Sequence, residues 1–93
     1  MEAVVLNSVI AGKKEITTAE MDGEVVMMSL ETGKYYNLGN MGTVIWRMID
    51  NPVSVETIIR VLLEKYDVTR EQCEAEVLAF LNAMSREGLL DIQ

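Results

Sequence analysis

The chain reads as a small α+β domain, with strands in its first half and helices in its second. Three observations predict this. Two runs rich in Val, Met and Tyr, residues 25–30 and 34–38, flank a Gly33 turn, and Asp22-Gly23 marks another turn just before them. From Val44 onward the apolar residues recur at helical spacing between capping signals. At 93 residues and 49% hydrophobic content, the chain can bury one core and no more.

The elements follow in order. Residues 4–11 are an apolar run of either type, expected as an extra strand or as part of an N-terminal arm over residues 1–14. Residues 15–21 form a strand candidate that ends at Asp22-Gly23, a hairpin signal because both residues tolerate positive φ. Residues 25–30 and 34–38 form a second hairpin. A two-residue Thr32-Gly33 loop would pair Glu31 with Lys34 and set Ser29 beside Tyr36. A three-residue loop with Gly33 left-handed in a bulge pairs Leu30 with Lys34. The second register is preferred, since Val26, Met28, Leu30, Tyr36 and Leu38 then share one apolar face, with Tyr35 and Asn37 on the other.

Three helices come next. The first covers about residues 40–50, with Val44, Ile45, Met48 and Ile49 inward, Trp46 as a core anchor, and Asn51-Pro52 as its stop. Ser54 caps a second helix that runs through Tyr66 on Val55, Ile58, Ile59, Leu62 and Leu63. Thr69 caps the third, Gln72 completes a capping box, and Gly88 terminates the helix. Cys73, Val77, Phe80, Leu81 and Met84 make its apolar stripe, with Leu78 to one side and Ala75, Ala79 and Ala83 keeping the flanks small.

Composition limits the function classes. A net charge of −7 argues against nucleic acid, and no apolar run approaches the roughly 20 residues of a membrane span. One Cys and no His leave no disulfide framework and few zinc chemistries, so Cys73 is expected to be a buried, inert thiol. The first residues lack a basic start before their apolar part, so a cytoplasmic location is expected. Candidate carboxylates such as Asp50 and Glu56 sit on different elements without a visible base or nucleophile. No catalytic site, metal or cofactor is expected.

The run Gly33-Lys34-Tyr35-Tyr36-Asn37-Leu38, then Gly42 and Ile45-Trp46, followed by Tyr66-Asp67-Val68 and Gly88-Leu89-Leu90, resembles the PqqD-like proteins. These are RiPP recognition elements, non-catalytic domains that bind the leader segment of ribosomally made precursor peptides. The resemblance covers residues 15–92 and departs at Leu38-Gly39, where the family has Leu-Asn, so Gly39 or Asn40 is expected to start the helix. It implies a single winged helix-turn-helix-like domain over residues 1–93, with a three-stranded antiparallel sheet followed by three helices. It also implies that a leader adds as a strand to the edge strand 34–38 and lies against the third helix.

On the residues themselves, an open strand edge supplies backbone hydrogen bonds, and side-chain pockets supply sequence choice. The candidate peptide-binding residues are Lys34, Tyr35, Tyr36, Asn37 and Leu38 on the strand, with Val77, Leu78, Phe80 and Leu81 on the helix. Glu74, beside Glu71 and Glu76, is a candidate for attracting basic leader residues. The expected partners are a precursor leader and separate modifying enzymes, such as a leader peptidase or cyclase, in the manner of lasso-peptide pathways. Two rivals have other outlines. A winged-helix DNA-binding regulator is disfavoured by two Arg against four Glu over residues 70–87, and by the lack of a basic wing after Gly88. A protein–protein adaptor would use the seven Met as an adaptable surface.

Overall fold

A computed structural model describes residues 3–13, 16–28 and 33–93. Its strands are β1 (Val9–Gly12), β2 (Thr17–Met21), β3 (Glu24–Met28), β4 (Tyr35–Asn37), β5 (Val53–Ser54) and β6 (Leu90–Ile92). Its helices are α1 (Gly39–Met48), α2 (Val55–Lys65) and α3 (Arg70–Arg86). The strands form two antiparallel three-stranded sheets, ordered β2-β3-β4 and β5-β1-β6. This corrects the single sheet followed by three helices. The ambiguous N-terminal run supplies β1, which ties the α1–α2 connector to the C-terminal segment.

Local signals account for the element ends. Asp22 (φ 53°) and Gly23 (φ 81°) are both left-handed and close the Met21–Glu24 pair, as a twisted two-residue hairpin requires. Ser54 Oγ accepts from the Thr57 N–H at 3.2 Å, and Thr69 Oγ1 from the Gln72 N–H at 3.1 Å. The Gln72 amide itself turns to Glu76. After α3, Gly88 is left-handed at φ 73°. Its N–H donates to Ser85 O, and that of Leu89 to Met84 O, both at 3.0 Å. This pattern folds Leu89 back onto Met84 inside the core.

The second hairpin departs from the expected register by one residue. Val26 faces Asn37, Met27 faces Tyr36 and Met28 faces Tyr35. Val25 and Met27 are therefore buried, while Val26 and Met28 lie on the outer face with Tyr35 and Asn37. The sequence Val25-Val26-Met27-Met28 is apolar on both faces, so alternation could not choose between them. The expected Leu30–Lys34 pair lies outside the described residues, as does the loop before Gly33, which is left-handed at φ 73°.

The core is built from Ile45 and Ile49 of α1, Val55, Ile58, Ile59 and Leu62 of α2, and Cys73, Val77, Leu81 and Met84 of α3, with Met27 and Ile10 from the two sheets. Burial pushes the Cys73 thiol pKa up, which keeps it protonated. Trp46 packs half-buried against this cluster, its ring lying where a Cβ on Gly12 would come within 2.8 Å. No helix among the described residues is long and apolar enough to cross a membrane.

Thr43 is the buried polar residue that joins helix to sheet. Its Oγ1 accepts from the Val25 N–H at 2.8 Å and donates to Gly39 O at 2.5 Å. Thr43→Val, which keeps the shape, leaves the Val25 N–H buried without a partner and is expected to cost about 1–3 kcal/mol. Urea melts should show that loss, with Thr43→Ser near wild type; a wild-type midpoint for Thr43→Val would mean that the bond contributes nothing net.

Candidate functional site

Strand β4 ends the sheet β2-β3-β4, so one of its sides is open. The Leu38 N–H donates to Val25 O at 3.0 Å, which fixes the alternation along the strand. The backbone groups of Leu38 and Tyr36 face β3, and those of Tyr35 and Asn37 face the open edge. The Asn37 side chain accepts from the Gly39 N–H at 3.0 Å and closes a turn at the entry to α1, where Gly39 takes φ 71° and no side chain caps the helix.

Beside that edge lies a groove of about 470 Å³ between β4 and the C-terminal half of α3. Tyr35, Tyr36, Asn37 and Leu38 line one wall. Phe80, Ala83, Met84, Arg86, Glu87 and Leu89 line the other. The volume falls within the roughly 300–1,000 Å³ usual for ligand pockets. At the floor of the groove α1 approaches α3 closely at Gly42, where a Cβ would come 2.9 Å from the Phe80 ring and 3.0 Å from Leu38 Cβ. Across the groove the Tyr36 hydroxyl donates to Glu87 Oε2 at 2.6 Å, joining β4 to the end of α3.

The candidate residues separate into three groups. Tyr35, Tyr36, Asn37, Leu38 and Phe80 come together in the groove. Val77 and Leu81 are 0% exposed in the core, and Leu78 lies on the opposite flank of α3 with Asn82. Asn82 there holds the N-terminal segment, accepting from the Val4 N–H at 2.8 Å and donating to Val4 O at 3.2 Å. Glu74 pairs with Arg70 at 3.2 Å in the first turns of α3, and Arg70 also pairs with Glu56 of α2. Those contacts, that to Glu56 foremost, raise the Arg70 pKa. Lys34 is exposed just ahead of β4 and outside the groove lining.

The wall that sequence reasoning missed is Ala83, Met84 and Arg86 of α3, with Glu87 and Leu89 just past its end. Extending the Phe80 position by three, four and seven residues reaches Ala83, Met84 and Glu87, so the helical period carried that signal. Elsewhere, the outer face of the sheet exposes Met21 and Tyr35, and a small apolar depression there is lined by Ala19, Val26 and Met28. A further depression, of about 350 Å³, surrounds Trp46 with Glu20, Arg47 and Asp50.

Comparison with known proteins bears on the groove. The family model described as coenzyme PQQ synthesis protein D (PqqD) matches residues 24–90. A solved chain described as TbiB1 in complex with the TbiA(beta) leader peptide is 30% identical. That match covers 87% of this chain and 94% of the other, with a TM-score of 0.78. A lasso peptide synthetase B1 complexed with the leader peptide is 21% identical, with a TM-score of 0.77 over 88% of this chain and 96% of that one, and shares the fold. No curated protein matches the chain.

Proposed function

This chain belongs to the PqqD family, and on that premise we propose that it is a non-catalytic recognition protein for the leader segment of a ribosomally made precursor peptide. The observation that carries this is the open β4 edge, with the Tyr35 and Asn37 backbone groups directed outward beside an apolar-floored groove. A leader adding as a strand meets those donors and acceptors and turns alternate side chains into the groove. The likeness to TbiB1, a leader-bound protein of similar sequence, supports the same use here.

The fold is read as a winged helix-turn-helix variant, supported by α2 and α3 joined across residues 66–69. DNA binding is disfavoured by charge. From the start of α3 to its C-cap, Glu71, Glu74, Glu76 and Glu87 outnumber Arg70 and Arg86, and Arg70 is committed to Glu56 and Glu74. The groove residues proposed for the leader are Tyr35, Tyr36, Asn37, Leu38 and Phe80, joined by Ala83, Met84, Glu87 and Leu89. Separate modifying enzymes, a leader peptidase or cyclase of the lasso type, take the leader from there. The exposed Met21 and the depression lined by Ala19, Val26 and Met28 on the outer sheet face leave an apolar surface for such contact while the groove is filled.

Amide hydrogen exchange tests the strand-addition mode. With the leader of a precursor encoded beside this chain, the Tyr35 and Asn37 amides should slow, whereas those of Tyr36 and Leu38, already facing β3, should change little. Slowing confined to α3 would replace strand addition with groove binding, and no change anywhere would refute leader recognition.

A further inference from the structure

We infer that Glu87 sets the charge of the peptide this groove accepts, favouring a lysine or arginine at the position that faces it and rejecting an acid there. This rests on the leader-binding reading of the groove and goes beyond it by assigning a ligand chemistry. The hydroxyl of Tyr36 holds the Glu87 carboxylate against the groove wall at 2.6 Å. That partner is neutral, so the charge stays. Among the described residues Glu87 takes part in none of the ion pairs, which join Lys13 to Asp91, Arg47 to Glu20, and Arg70 to Glu56 and Glu74. Arg86, its neighbour on the groove rim, lies about 100° around the helix.

Four effects then act in one direction. Glu87 is the C-cap residue of α3, so the partial negative charge of the helix end adds to its own carboxylate. A carboxylate offers about four acceptor positions, and Tyr36 uses one, leaving room for an ammonium or guanidinium donor. A strand laid over the groove removes water from Glu87. An unpaired ion there weakens binding, a facing cation offsets the desolvation, and a facing acid adds repulsion. The net charge of −7 adds long-range attraction for a basic segment. Inward side chains of an added strand alternate, so the cation is expected two positions from an apolar residue seated against Phe80 or Met84.

Selection of a displayed random decapeptide library against the wild type, Glu87→Gln and Glu87→Lys tests this, each protein first verified as folded by circular dichroism. Glu87→Gln keeps an acceptor for Tyr36 and removes only the charge. Wild type should enrich Lys or Arg over Asp or Glu about tenfold at one position of an alternating apolar peptide. Glu87→Gln should lose that preference and Glu87→Lys should reverse it. Enriched peptides without a charge preference, or with the same preference in all three proteins, would overturn the role of Glu87 while leaving the groove as a peptide site. A folded wild type that enriches no peptide would overturn the peptide-binding reading itself, and this inference with it.

Discussion

Ala83→Arg is expected to abolish leader binding while the domain stays as stable as wild type. Ala83 is exposed on α3 and lines the groove between Phe80 and Glu87. A long side chain there occupies the space the leader needs and brings a charge that binding must desolvate, at a cost of several kcal/mol. Affinity should fall by more than about a hundredfold, which corresponds to about 3 kcal/mol. The folded state has little to lose. Arg is among the better helix formers, a cation suits the last turns of a helix, and Glu87 lies four residues on as a partner. Calorimetric titration and a melting curve on one sample separate the two effects. Wild-type affinity in a folded Ala83→Arg protein would place the leader somewhere other than this groove.

The parts of the fold that were legible in the sequence are those set by neighbouring residues. Asp22-Gly23, Ser54, Thr69 and Gly88 each act within a few positions of themselves, and each has the expected role. The sheet β5-β1-β6 was hidden because its strands are 2, 4 and 3 residues long and come from distant parts of the chain. Val53–Ser54 reads locally as nothing more than a helix cap, and only pairing with Val9 and Ile10 makes it a strand. Register was lost for a different reason. Where both faces of β3 are apolar, the choice falls to the Met21–Glu24 turn and to Thr43, which holds the Val25 N–H from another element.

At the candidate site the same division holds. The β4 wall follows from a turn and a run of five residues, but the helix wall depends on how far α3 is rotated. A stripe centred on Val77 and Leu81 is the core, and the groove lies to one side of it, where Ala83, Arg86 and Glu87 look like ordinary surface. Charge on a helix near its end is common, and nothing local says that Glu87 is held by a tyrosine 51 positions away.

The rotation of α3 makes Leu81→Asp the sharpest contrast to Ala83→Arg. Two residues apart on one helix, the two substitutions should fail in opposite ways. Leu81 is 0% exposed within the cluster that joins all three helices. Truncating a buried Leu to Ala costs about 2–5 kcal/mol, and an unpaired buried carboxylate adds several more. A domain of this length has only about 5–14 kcal/mol of stability to lose. Leu81→Asp should therefore show no cooperative melt at neutral pH, and its loss of leader binding reports unfolding instead of a damaged groove. Leu81→Ala supplies the check, because it should melt at lower temperature yet bind leader normally when folded. A Leu81→Asp protein that melts like wild type would mean that α3 turns a different face to the core, and the groove drawn from Phe80, Ala83 and Glu87 would fall with it.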